Sequence, residues 1–281
     1  GFAGARAKHQ FPPMTLIKET VTIAGAGPGD PELLTVKAWK RLREADVVLH
    51  DALVPPAILD LVGADAEVIH VGKRCDDGQD QDLRQESINS LMIRCALQGS
   101  KCVRLKAGDP FIFGRGVEEV RALLRHGIKV EVIPGITAGI AAAGMLHIPL
   151  TERNRMRSVL FCTGQGAQYS TEQFNAVMAL VREGSSMVLY MGLKNLDEFA
   201  GRLLENGLAP ELPVCAASRV SLPGQQLVCG TLATIGREVR EKAIGTPAVF
   251  VIGEHSLPVG FGEIPYTLAE GAVPDDNHNH R

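Results

Sequence analysis

Five short stretches hold the residues whose types and spacing could do chemistry: "GAGPGDPELLT" at 25–35, "HD" at 50–51, "VGKR" at 71–74, "RLKAGDPFIFGRGVEE" at 104–119 and "PGITAG" at 134–139. The first stands where a nucleotide-binding loop would, after the apolar run "VTIA" and before a helical pattern. It spells G-x-G-x-G, with Asp30 in place of the third glycine of the dinucleotide fingerprint. Pro28 and Pro31 also withhold the backbone N–H groups that a phosphate cradle needs. A pyrophosphate is therefore not the expected ligand. The other four stretches place small or charged residues after apolar runs: Asp51, Lys73 and Arg74, then Gly108, Asp109, Arg115 and Glu118, then Thr137. Each also has a plain structural reading. The Gly-Asp-Pro and Pro-Gly pairs make turns, Asp51 caps a helix, and Glu118, three residues after Arg115, forms a helical ion pair of about 0.3 kcal/mol.

The elements that must position these residues follow from periodicity. Strands are expected at 21–25, 46–50, 67–71, 101–106 and 129–133, separated by helical patterns such as "PELLTVKAWKRLREA" and "LRQESINSLMIRCALQG". That alternation implies a mostly parallel sheet covered by helices. Ligands of such sheets bind beyond the carboxyl ends of the strands, and the five stretches sit at those ends. A Gly-, Ala- and Pro-rich segment leading to the arginine-rich "TERNR" marks a domain boundary near residue 140. Further strands are expected near 157–163, 186–191, 213–219, 225–230 and 247–253. "QQLVCGTLATI" reads as a hairpin or antiparallel strand, which makes the second domain mixed α/β. The expected divisions are a tag scar and leader over 1–13, domains over 14–140 and 141–257, and a polar tail over 258–281.

Composition excludes several classes. With 281 residues and 45% hydrophobic content the chain can bury a large core. It has no apolar stretch of membrane-spanning length and no export signal, so a cytoplasmic protein without membrane partners is expected. Six cysteines without a C-x-x-C pair fit a reducing compartment, and eight scattered histidines give no metal-ligand spacing, so no metal is expected. A net charge of −3 argues against a nucleic-acid partner and leaves any anionic ligand to a local basic cluster.

In order and spacing, "GAGPGDPELLT", "ADVVLHD", "VGKR", "RLKAGDPFIFGRGVEE", "PGITAG", "IPLTER", "VLYMG" and "GTPAVFVIGE" resemble the successive signatures of the uroporphyrinogen-III C-methyltransferases, over about residues 20 to 255. The opening loop and the GDP and PGIT turns are shared with the wider tetrapyrrole methylases; "VGKR", "GDPFIFGRG" and "YMG" are closer to the uroporphyrinogen enzymes. The resemblance implies an α/β two-domain tetrapyrrole methylase fold, with a mostly parallel N-terminal sheet, a mixed C-terminal sheet and the cofactor cleft between them. It implies a homodimer that uses S-adenosyl-L-methionine to methylate uroporphyrinogen III at C-2 and C-7. The product, precorrin-2, feeds sirohaem, cobalamin or haem d1 synthesis.

Positions matching the family's cofactor contacts are Pro28, Ala107, Gly108, Asp109, Ile112, Thr137, Ala138, Met191, Val220, Thr246 and Ala248. Two departures stand out. Ala107-Gly108-Asp109 replaces Gly-Gly-Asp, and Arg219-Val220-Ser221 replaces Asn-Gly-Thr, putting a β-branched residue where a positive φ would be strained. The substrate has eight carboxylates, which suit the guanidinium forks of Arg115, Arg153, Arg155 and Arg157 together with Lys73 and Arg74. Methyl transfer to a pyrrole carbon leaves positive charge on the ring and a proton to be lost. Glu118, oriented by Arg115, is the first candidate for that task and Asp51 the second. Three rivals remain at this point. A nicotinamide dehydrogenase would need a glycine at Asp30, a methylase of protein substrates would not need the arginines, and a noncatalytic tetrapyrrole binder would not need the cofactor.

Overall fold

A computed structural model describes residues 20–72, 81–164 and 169–261. The expected leader, Lys73 and Arg74, and most of the expected tail lie outside the described residues. The described residues form two compact units, one within 20–25 and 35–134, the other within 26–34 and 135–261. The change falls between Pro134 and Gly135, and the segment Ala26–Leu34 groups with the second unit.

The first unit alternates strand and helix: β1 (Thr20–Gly25), α1 (Val36–Arg43), β2 (Val47–His50), α2 (Pro56–Leu59), β3 (Glu67–His70), α3 (Gln81–Leu97), β4 (Cys102–Lys106), α4 (Gly116–Arg125) and β5 (Lys129–Ile133). All pairings are parallel, in the order β3-β2-β4-β1-β5. Val21, Ile23, Val47 and Leu49 pack with Ile88, Met92 and Ala96 of α3 and Leu123 of α4. Each such aliphatic side chain contributes about 1.5–3 kcal/mol by leaving water. The expected helix through "PELLTVKAWKRLREA" is broken. Asp30 accepts from Glu32 N–H to cap a 3₁₀ turn over Pro31–Leu33, Leu34 is extended, and Thr35 recaps α1 by accepting from Ala38 N–H.

The second unit contains α5 (Ala138–Met145), β6 (Val159–Thr163), α6 (Thr171–Arg182), β7 (Ser186–Tyr190), α7 (Leu196–Glu205), β8 (Pro213–Ser218), β9 (Gln226–Thr231), α8 (Ile235–Glu241) and β10 (Ala248–Ile252). Its sheet runs β6-β7-β10-β8-β9, with only β6 and β7 parallel. The antiparallel β8–β9 pair is the one that "QQLVCGTLATI" signalled. Met187, Leu189, Val214, Phe250 and Ile252 form a core with Phe174 and Met178 of α6 and Phe199 and Leu203 of α7. Against the reducing compartment expected from the cysteine spacing, Cys215 and Cys229 face each other across β8 and β9 and are disulfide-bonded; Cys95, Cys102 and Cys162 are free and buried. Of the expected tail, Val259 donates its N–H to the His147 carbonyl.

Candidate functional site

In the first unit, β2 leads to β3 on one side while its neighbour β4 leads to β5 on the other. The loops after β2 and β4 therefore diverge, and such a divergence at the carboxyl edge of a parallel sheet opens a ligand crevice. Asp51 stands at the end of β2, and Ala107, Gly108 and Asp109 follow β4. Asp51 caps no helix: the N-cap of α2 is Pro55. Its carboxylate instead accepts from Arg104 Nη2, and its side chain is 28% exposed. Burial pushes the Asp51 carboxyl up, but the nearby charges of Arg104 and Lys106, with hydrogen bonds from Arg104 and the Ala107 N–H, outweigh it and hold the group below its usual range.

The loop after β4 is wound tightly. Asp109 Oδ1 accepts from Phe111 N–H at 2.8 Å, and Gly116 N–H donates to the Pro110 carbonyl at 3.0 Å. Phe113 and Arg115 both take positive φ, 52° and 57°. Ile112 is half-buried, while Phe111 and Phe113 expose apolar rings. Arg115 is the N-cap residue of α4 rather than part of its first turn, and it closes a bidentate pair on Glu118: Nε to Oε1 at 3.0 Å and Nη2 to Oε2 at 2.7 Å. A third bond runs from Arg115 Nη2 to Asp82 Oδ1 at 2.9 Å. The pair is half-exposed, and the Arg115 hydrogen bonds hold Glu118 below the ordinary carboxylate range despite some burial. Glu118 is thus a charged carboxylate at neutral pH and a correspondingly weak base.

In the second unit, register gathers four of the expected cofactor positions at one edge. Tyr190 of β7 pairs with Val249 of β10, and Ser218 of β8 pairs with Ala248. The ends of β7 and β8 therefore lie beside the start of β10, which brings together Met191, Val220, Thr246 and Ala248. Arg219 N–H donates to the Pro247 carbonyl at 2.9 Å, tying the loop after β8 to the Thr246-Pro247 step, a cis peptide. Met191 has φ 53° and is 43% exposed. The strain expected at Val220 falls on its neighbours, because Arg219 and Ser221 take positive φ, 50° and 65°, and Val220 is buried between them. Asp30 N–H donates to Ser221 Oγ at 3.0 Å, which fixes the opening loop and its Pro28 against this segment. Gly29 is required there: its φ is 141°, and a Cβ would stand 2.4 Å from Leu222 Cδ2.

Thr137 is the N-cap residue of α5 yet makes no side-chain cap. Its buried hydroxyl bonds the Tyr190 hydroxyl at 2.9 Å, and Tyr190 takes over the capping by accepting from Gly139 N–H at 3.1 Å. A side chain at Gly139 would overlap that hydroxyl, 2.5 Å from its Cβ. Ala138 follows at the first turn, half-buried. Arg153 and Arg155 project from the exposed turn that the Glu152–Met156 bridge closes, with buried Met156 as its plug, and Arg157 follows exposed. Arg155 sits 3.6 Å from Glu152.

Sequence reasoning missed Tyr190, Arg104, Lys106 and Glu119. Tyr190 stood within "VLYMG" but was not singled out. Arg104 and Lys106 carried a usable signal, two cations inside a strand expected to be central. Among the described residues no group of three His, Cys, Asp or Glu could hold a metal, and no helix is long and apolar enough to cross a membrane.

Residues 20–236 match the family of tetrapyrrole (corrin/porphyrin) methylases. The chain is 43% identical over 240 residues to siroheme synthase of Acinetobacter baylyi, covering 85% of this chain and 51% of that protein, and 44% identical over 235 residues to siroheme synthase of Azotobacter vinelandii, covering 83% and 49%. It thus spans about half the length of these relatives. Among solved structures, uroporphyrin-III C-methyltransferase of Thermus thermophilus is 37% identical with a TM-score of 0.68, covering 84% of this chain and 97% of that one. The same enzyme complexed with S-adenosyl homocysteine gives 37% and 0.67, covering 84% and 97%. With the family's model matching residues 20–236, the chain belongs to the tetrapyrrole methylases.

Proposed function

We infer that this protein transfers methyl groups from S-adenosyl-L-methionine to uroporphyrinogen III, at C-2 and C-7, to give precorrin-2 for sirohaem, cobalamin or haem d1 synthesis. The observation that carries this reading is the convergence of Met191, Val220, Thr246 and Ala248 at one sheet edge of a chain 37% identical to a uroporphyrin-III C-methyltransferase. The edge suits the cofactor chemically. Val220 and Ala248 offer an apolar floor, the strand ends offer backbone groups, and Met191 presents an exposed thioether. Pro28, Thr137 and Ala138 complete the set assigned to the cofactor in this unit, with Ala107, Gly108, Asp109 and Ile112 as the set from the first unit. When bound, S-adenosyl-L-methionine supplies an electrophilic methyl group on a sulfonium.

The protein's own task is to hold and align the macrocycle. Arg115 and Arg153 are assigned to substrate carboxylates, as are Lys73 and Arg74 by sequence. Arg115 exchanges its bond to exposed Asp82 for a substrate carboxylate while keeping Glu118. Asp51 and Glu118, both held as carboxylates by arginines, are assigned to stabilise positive charge as it develops on the ring, with Glu118 passing the released proton toward solvent. We also assign the protein to the cytoplasm as a homodimer, with no nucleic acid, membrane or metal partner. Sedimentation at micromolar concentration showing only a 30.1 kDa species would count against the dimer assignment.

The deciding experiment is mass spectrometry after anaerobic incubation with uroporphyrinogen III and S-adenosyl-L-methionine. A gain of two methyl groups is expected. Cofactor binding without any gain would point to a different acceptor, such as a protein side chain.

A further inference from the structure

β4 departs from what its position demands. A central strand of a parallel sheet is covered on both faces and normally reads as an unbroken apolar run. β4 is third of five and buried throughout, yet it reads Cys-Val-Arg-Leu-Lys. Alternation puts Arg104 and Lys106 on one face with Cys102, and they are only 1% and 3% exposed. Burying two cations is costly unless each is paired and hydrogen-bonded, and apolar residues of similar volume would usually serve stability as well or better.

The pairing has a direction. Arg104 donates from Nε to Glu119 Oε1 at 3.1 Å, from Nη1 to the carbonyls of Leu49 and Leu105 at 3.3 and 3.1 Å, and from Nη2 to Asp51 Oδ1. Lys106 Nζ and Gln85 Nε2 also donate to Glu119 Oε1, at 3.0 and 3.2 Å, and Gln85 donates on to Asn89 at 3.2 Å. Glu119 is fully buried, and its Oε2 has no hydrogen-bond partner among the described residues. The network therefore runs from a closed interior anchor through one rigid guanidinium to Asp51, whose side chain reaches solvent at the divergence of the β2 and β4 loops.

We propose that Arg104 is a positioning residue for the methyl-transfer reaction: anchored by Glu119, it holds the Asp51 carboxylate in one orientation at the carboxyl edge of the sheet, toward the cation that forms on the macrocycle. This rests on the reading of the protein as a uroporphyrinogen methylase in which Asp51 meets the substrate. Among the described residues, the charged and titratable groups around this corner are Arg104 and Lys106 of β4, Glu119 of α4 and the edge-on ring pair of His50 on β2 and His70 on β3. Removing Arg104 takes away the strongest interaction favouring ionised Asp51, so its carboxyl titrates at higher pH. Activity that needs the carboxylate then fails at a higher pH as the medium is acidified.

The test compares Arg104→Met, Arg104→Lys and Asp51→Asn in the full chain, by anaerobic turnover of uroporphyrinogen III across pH. Arg104→Met is expected to bind S-adenosyl homocysteine as wild type does, to lose about 10²-fold in kcat with KM little changed, and to move the acid limb of kcat to higher pH. Arg104→Lys, which keeps the charge but not the fork, should recover part of the rate. In an Asp51→Asn background Arg104→Met should cost nothing further. Wild-type kcat and an unmoved acid limb in Arg104→Met overturn the proposal. If that variant does not fold, the same result in Arg104→Lys overturns it. So does an equal loss with and without Asp51. A wild-type protein that adds no methyl group sinks the functional reading itself, whereas an Asp51→Asn variant with normal turnover overturns this proposal together with the role of Asp51 and leaves the functional reading standing.

Discussion

Glu118 and Glu119 are neighbours on α4 with opposite circumstances. Glu118 is 45% exposed and closes a bidentate pair with Arg115; Glu119 is fully buried and accepts from Arg104, Lys106 and Gln85 through a single oxygen. One step along a helix turns a side chain by about 100°, which is enough to separate solvent from core. An exposed pair is free to exchange partners and contributes little to stability, about 0–1 kcal/mol. A buried one cannot be broken without leaving charge in the interior. The same division recurs at the end of β7. Buried Tyr190 fixes the start of α5 through Thr137 and Gly139, while Met191, the next residue, presents its side chain outward. In both places an inward residue fixes the frame, and its outward neighbour is the one we propose meets a ligand.

The comparison breaks most visibly at Glu119. Glu119→Ala strands Arg104 and Lys106 as excess buried charge, and a loss of about 3–5 kcal/mol in urea unfolding is expected; a loss under 1 kcal/mol would mean that the interior takes up water there. Glu118→Gln should do the reverse. Its unfolding midpoint should stay near wild type while anaerobic turnover at saturating substrate falls about 10²–10⁴-fold, and near-normal turnover would leave the Arg115–Glu118 pair as surface chemistry alone. Arg153→Ala should weaken uroporphyrinogen binding by about 1.5–3 kcal/mol while leaving S-adenosyl homocysteine affinity intact, whereas replacing Met191 or Thr137 should do the opposite. Equal loss of both affinities in all three variants would remove the division between the two sets.

The smallest expected effect is on acid stability, at a third carboxylate of the first unit. Glu131 of β5 takes 2.7 Å contacts from Arg41 and Lys37 on α1. Hydrogen bonding from Arg41 first, against some burial and with help from Lys37, lowers its carboxyl to about 2 from 4.5. A lowered folded-state value means that the stabilisation is present above about pH 4.5 and is lost as pH falls toward about 2. Glu131→Gln should flatten stability across that window, and an unchanged acid limb would show that the cluster is screened by solvent.

Much of the frame was legible in the residues. Among the described residues all ten strands fall within a residue or two of their expected positions, because most are written in short apolar, β-branched runs bounded by turn residues. The pattern of "PELLTVKAW" predicts one helix across Leu34, whereas Asp30 and Thr35 each cap a separate start by accepting from backbone N–H groups, and Leu34 between them is extended. The strand-end loops were visible through their glycines and prolines. The division of labour within them was not: Thr137 stands at the N-cap of α5, but a hydroxyl 53 residues away, that of Tyr190, accepts the Gly139 N–H in place of its side chain.

What the sequence determined by itself is therefore local and periodic: the order of strands and helices, the loops that close them, and the family signatures those loops carry. The tertiary structure decided which neighbours meet. The order β3-β2-β4-β1-β5 sets Asp51 beside β4, although 53 residues separate it from Arg104. The packing of α4 turns Glu119 inward and leaves Glu118 outside. A charge in a sequence shows no partner, since pairing depends on distance and dielectric, and both are fixed only once the sheet is assembled and water has left its core.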